Sequence, residues 1–129
     1  MSNLNFRMAL VASLALGASA ATPAAAHHSY AMFDIQTETT LAGTVKKFDW
    51  TNPHTWVAIE VLKDSVAEEW DFEGMSPNYL ARRGWSKETL KPGDKVAVTF
   101  HPLKEGQKGG SFISVVLASG RKMNMTGAN

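Results

Sequence analysis

The chain has four histidines, His27, His28, His54 and His101, and these are its residues best suited to chemistry. Imidazole is the commonest metal ligand among side chains and a general base at neutral pH. His27 and His28 directly follow Ala24-Ala25-Ala26, whose Ala24-x-Ala26 pattern is that of a signal-peptidase site. Cleavage there makes His27 the new N-terminus. Its α-amine and ring nitrogen then form a bidentate chelate suited to Cu(II) and other late divalent metals. His54 follows Pro53 and His101 precedes Pro102. Together the four form a candidate site for copper or another divalent metal. The competing expectation is structural: His54 and His101 bond backbone in turns, and His27 and His28 are solvated. No H-x-H or H-E-x-x-H occurs to define a metal geometry locally.

Other chemistries find less support. With no cysteine, the chain has no disulfide, thiolate zinc site, iron–sulfur cluster or cysteine nucleophile. Glu68, Glu69, Asp71 and Glu73 lie in one run, but alternation puts three of them on a solvated strand face. Paired carboxylates in a hydrolase need contrasting environments, which such a face does not supply. Ser29, Ser76 and Ser111 lack a nucleophile-elbow context, and Gly109-Gly110 is not a phosphate loop. No catalytic residue is expected. A formal net charge of +1 argues against a phosphate-driven nucleic-acid binder.

The N-terminal segment reads as an address. Arg7 is followed by the apolar run MALVASLALGA, which has the length of a signal h-region and is too short to span a bilayer. Residues 1–26 therefore read as a cleaved signal peptide, 27–39 as an N-terminal arm, 40–125 as one domain and 126–129 as a frayed tail. No second apolar run follows, so the mature chain is expected in the periplasm without a membrane span. Removal of Arg7 leaves that chain formally neutral. A domain of roughly 100 residues buries about two thirds of its unfolded surface, enough for one core.

The elements that must position these residues follow from periodicity. Residues 40–50 alternate through Leu41, Gly43 and Val45, and then Phe48 and Trp50 fall on the opposite parity. One extra residue, a bulge, explains the slip. Residues 55–62 alternate with Val57, Ile59 and Val61 inward and Trp56, Ala58 and Glu60 outward. Residues 66–73 follow a polar turn, with Trp70 and Phe72 inward and Glu69, Asp71 and Glu73 outward. Ser76 and Pro77 open a short helix that reaches toward Gly84, and Lys91-Pro92-Gly93-Asp94 is a turn. Residues 95–101 place Val96, Val98 and Phe100 inward. Residues 102–110 read as a mobile hairpin loop. Residues 111–118 place Ile113, Val115 and Leu117 inward and Ser114 outward, and residues 120–125 add a short edge segment. The β-β-β-α-β-β order is that of an OB-fold-like five-stranded small barrel, all-β with one short helix. A plain antiparallel sandwich or another small barrel is the alternative.

Several motifs occur together: HHSYAMFD after the signal, GTV, W-x-NPH-x-W, W-x-FE, SPNYL-x-R-x-GW, LKPGD and a final SGRK. This pattern, spanning His27 to about Lys122, resembles a family of small exported bacterial proteins catalogued only as a domain of unknown function. The resemblance implies export and a small β-rich domain. It implies no activity and supplies no site residue.

In an OB-fold, the loops after strands 1 and 4 border the ligand-binding region. His54 lies in the first and His101 opens the second, so both can approach one ligand. Asn52, Trp56 and Phe112 outline a second candidate face, since parity turns Trp56 and Phe112 outward. Such a platform suits a sugar, a peptide or a partner protein, unless the helix or the arm covers it. The expected function is thus a non-enzymatic exported binding module for a small ligand or an envelope protein. The alternative is a copper or other divalent-metal protein using the four histidines. Mass spectrometry of the periplasmic chain tests the export reading: the expected N-terminus is His27, and an intact Met1 contradicts it.

Overall fold

The computed structural model describes residues 30–126. The segment expected to be a signal peptide, His27 and His28 lie outside the described residues, as do residues 127–129 of the tail. A single 3-10 turn, Tyr30–Met32, leads into β1 (Thr39–Asp49), β2 (Trp56–Lys63) and β3 (Val66–Glu73). Helix α1 (Pro77–Ala81) follows, then β4 (Lys95–Pro102), β5 (Gly109–Leu117) and β6 (Lys122–Asn124). The sheet runs β3-β2-β1-β4-β5-β6, and a parallel pairing of β3 with β5 closes strands one to five into a barrel. This is the expected architecture, with β6 added outside the ring.

Closure depends on two residues without side chains. Gly109 and Gly110 open β5 where it is squeezed between β3 and β4. A Cβ on Gly109 would collide with the Asp71 carbonyl, and one on Gly110 with the His101 carbonyl. Only glycine lets the three backbones approach this closely.

The core is filled by the inward rows of the strands. Val57, Ile59, Phe72, Val98, Phe100 and Val115 are buried. Phe72 and Phe100 meet at the centre with ring centroids 4.6 Å apart. The short helix is capped by Ser76, whose hydroxyl accepts from the Tyr79 amide, and has Pro77 in its first turn. It ends at Ala81, one turn before Gly84. Its Leu80, with Trp85 and Leu90 beyond it, joins the core, and the Trp85 indole donates to the Asn124 carbonyl at 2.8 Å.

Two bulges adjust the rows. The first falls at Lys46, between the pairs Val45–Ile59 and Lys47–Ala58, and returns Phe48 and Trp50 to the core side as expected. The second falls at Ile113, between the pairs Thr99–Ser114 and Phe100–Phe112. Unbroken alternation puts Phe112 outside, but the extra residue rotates it inward. Phe112 is fully buried, with its ring 5.6 Å from Trp85. It is therefore part of the core and no element of an outer platform.

Three further expectations are corrected. Ser114 is buried rather than exposed, flanked by Thr99 on β4 and Asn124 on β6. Glu73 is buried at the end of β3 rather than solvated. Leu117, expected in the core, is only partly buried at the end of its strand. The hairpin after β4 is also tied to the arm: Phe33 bridges Leu103, Asp34 N donates to the Pro102 carbonyl at 2.8 Å, and Lys104 N donates to the Met32 carbonyl at 3.0 Å.

The β2–β3 hairpin is set by its turn. Asp64 and Ser65 both have positive φ, 50° and 66°. Two such residues make a type I′ turn, whose twist matches that of the strands it joins. Lys63 then pairs with Val66, and the register runs unbroken to Trp56–Glu73. Aspartate tolerates the left-handed region better than serine does. Ser65→Gly is expected to raise stability by roughly 0.5–1 kcal/mol in urea denaturation, because the relieved strain exceeds the added chain entropy.

Candidate functional site

Beyond the strand ends the two chains stay bonded, with a slip of one residue at Gly74 and Met75. Gly74 N donates to the Thr55 carbonyl at 2.8 Å, and Thr55 N donates to the Met75 carbonyl at 3.2 Å. His54 is therefore delivered beside Glu73 and Gly74. Its Nδ1 lies 3.0 Å from the Gly74 carbonyl and 3.1 Å from Glu73 Oε1. A carbonyl only accepts, so Nδ1 carries the hydrogen and the lone pair of the neutral ring is on Nε2. This is the outer-sphere arrangement found behind metal-ligating histidines, where a carboxylate or carbonyl holds the far ring nitrogen.

Glycine at position 74 is a steric requirement. A Cβ there would run into the Phe112 ring and into Thr55 Oγ1, 2.5 Å away. The bare backbone lets Phe112 pack under the site and leaves the Gly74 carbonyl facing His54. Glu73 is 5% exposed, so its carboxylate is largely out of water and needs the partner that His54 supplies.

His54, Glu73 and Gly74 line a small crevice with Tyr30, Phe33, Met75 and Ser111. Its cavity volume is about 20 Å³. One water or ion needs roughly 10–15 Å³, so the crevice suits a single atom-sized occupant and excludes a sugar or peptide. The arm forms one wall. Phe33 is buried, and the Tyr30 hydroxyl donates to Met75 Sδ at 3.4 Å. The arm's turn is held by Asp34, which accepts from the Thr37 hydroxyl at 2.7 Å and from the Gln36 amide at 3.2 Å. These bonds hold the Asp34 carboxyl below the usual carboxylate range.

His101 stands at the same end of the barrel, because its register partner Ser111 lines the crevice. It does not line the crevice itself. Its Nδ1 donates to the Thr37 carbonyl at 2.9 Å, which ties β4 to the arm. His54 and His101 thus share one tautomer, with Nδ1–H given to backbone. Among the described residues, no three His, Cys, Asp or Glu side chains converge on a point.

Of the second candidate set, Asn52 is exposed in the loop after β1, Trp56 is 37% exposed on the outer sheet face, and Phe112 belongs to the core. Glu73, Met75 and Ser111 are the site residues that alternation did not bring forward. A comparison with curated proteins and one with solved structures each returned no match. A sequence comparison with protein families did: residues 15–113 match DUF6152, a family of unknown function, and the chain belongs to that family.

Proposed function

We propose that this protein is an exported, non-enzymatic binding domain that takes one divalent metal ion, Cu(II) before Zn(II), at the arm-side crevice. One observation carries the reading. His54 lines a crevice of single-ion size and gives its Nδ1–H to Glu73 and Gly74, so Nε2 is the nitrogen through which the ring would take a metal. Glu73 holds the Nδ1 side of the ring and so orients it.

The remaining ligands come from the mature N-terminus. Tyr30 lines the crevice, and His28 stands two residues before it. At about 3.5 Å per residue, His28 reaches within roughly 7 Å of Tyr30 and His27 within roughly 11 Å. The α-amine and imidazole of His27, the His28 ring and His54 Nε2 make a nitrogen-rich set. Met75, on the crevice wall, adds a soft thioether. Imidazole, amine and thioether together favour copper over magnesium or calcium. His101 acts as a tether for the arm rather than as a ligand.

Isothermal titration of the mature protein with Cu(II) and Zn(II) tests this. One equivalent of Cu(II) is expected to bind, more weakly as pH falls because protons compete for the nitrogens. His54→Ala and a chain with one extra Ala before His27 are each expected to weaken binding by about tenfold or more, and Glu73→Gln by a smaller factor. Loss with the extra Ala alone identifies a free N-terminal chelator and overturns the barrel site. Absence of saturable Cu(II) binding overturns the reading altogether.

A further inference from the structure

We propose that the outer face of β1, β2 and β3 holds a second site, a groove for a small organic cation, with Trp56 against its ammonium group and Glu69 and Asp71 neutralising its charge. The groove is lined by Lys46, Lys47, Asp49, Trp56, Ala58, Glu69 and Asp71, and its volume is about 410 Å³. That falls within the range of roughly 300–1,000 Å³ common for small-molecule sites.

Strand register builds the groove. Ala58 stands between Lys47 on β1 and Asp71 on β3. Its short side chain leaves a low centre. Two residues along the same face, Trp56 stands between Asp49 and Glu73 and raises a wall. Trp56 is 37% exposed, the only tryptophan among the described residues with such an open side chain.

Charge decides what fits. Both lysines are already committed: Lys46 Nζ lies 3.5 Å from Glu60, and Lys47 Nζ lies 2.7 Å from Asp49. Among the described residues, neither Glu69 nor Asp71 forms an ion pair. They sit two positions apart on β3, on one face of the sheet. Partial burial and the neighbouring charge of Glu69 hold the Asp71 carboxyl above the usual carboxylate range. A bound cation relieves that repulsion. An anion would add to it, and a neutral apolar ligand would strip water from the carboxylates without replacing it. Trp56 completes the match, because the indole face attracts ammonium groups more strongly than any other side-chain ring. The groove adjoins the crevice along the hairpin but shares no lining residue with it and contains none of the proposed metal ligands, so the two readings fail independently.

Titration of the mature protein with choline and with spermidine, followed by amide chemical shifts, tests the proposal. Its control is 3,3-dimethyl-1-butanol, the neutral isostere of choline. Saturable shifts are expected at Trp56, Ala58 and Asp71, with choline binding at least about tenfold more tightly than the isostere. Trp56→Ala and a Glu69→Gln, Asp71→Asn double variant are each expected to lower cation affinity by about tenfold or more while the rest of the spectrum keeps its dispersion. Equal affinity for the isostere, retained affinity in the double variant, shifts confined to another face, or no saturation by about 10 mM overturns it.

Discussion

Glu73 is a carboxylate at the end of a strand, withdrawn from water, and the arm-side end of the barrel is organised around that fact. An unpaired charge in such a place costs several kcal/mol, and removing one partner of a buried pair costs about 3–5 kcal/mol. The compensation comes from His54 Nδ1. That contact exists only while β2 and β3 keep their register, which the Asp64-Ser65 turn sets at the far end of the hairpin. It also needs Gly74, where a side chain would push Phe112 out of the core beneath the site. The arm then covers the polar pair, pinned by the Phe33–Leu103 bridge and by His101 on Thr37. Turn, register, glycine and arm all bear on the orientation of one imidazole ring.

The same two strands present different chemistry on neighbouring patches. Trp56 and Glu73 are register partners, so the open groove and the closed crevice abut along the hairpin. The crevice brings a histidine ring and a buried carboxylate to a space the size of one ion. The groove offers an indole face and uncompensated carboxylates in a space the size of a small molecule.

Much of the barrel was legible in the amino-acid sequence. The bulge at Lys46 could be read because Phe48 and Trp50 broke parity against polar neighbours. The bulge at Ile113 could not, because Phe112, Ile113, Val115 and Val116 are all apolar and either parity looks acceptable. That ambiguity is what put Phe112 outside. Glu73 was placed outward correctly with respect to its strand, but alternation says nothing about an arm folding over the end of that face. The signal that would have revealed the pair was turn length: a two-residue turn between Lys63 and Val66 pairs Trp56 with Glu73 and so brings His54 to the end of β3. Asp64-Ser65 lacks the Asn-Gly or Asp-Gly pattern that announces such a turn, so the register was left unread. His101 was expected either at a metal or on backbone, and it is bonded to the arm's Thr37.

The central claim is that Glu73 and Gly74 hold His54 as the Nδ1–H tautomer. Long-range nitrogen–proton NMR of the imidazole rings in the metal-free mature protein tests it most directly, since protonated and bare ring nitrogens resonate far apart. The account predicts a single Nδ1–H tautomer for His54, with a slowly exchanging ring proton that is lost in Glu73→Gln or becomes fast in exchange. An Nε2–H tautomer, or rapid averaging like that of a solvated histidine, contradicts it.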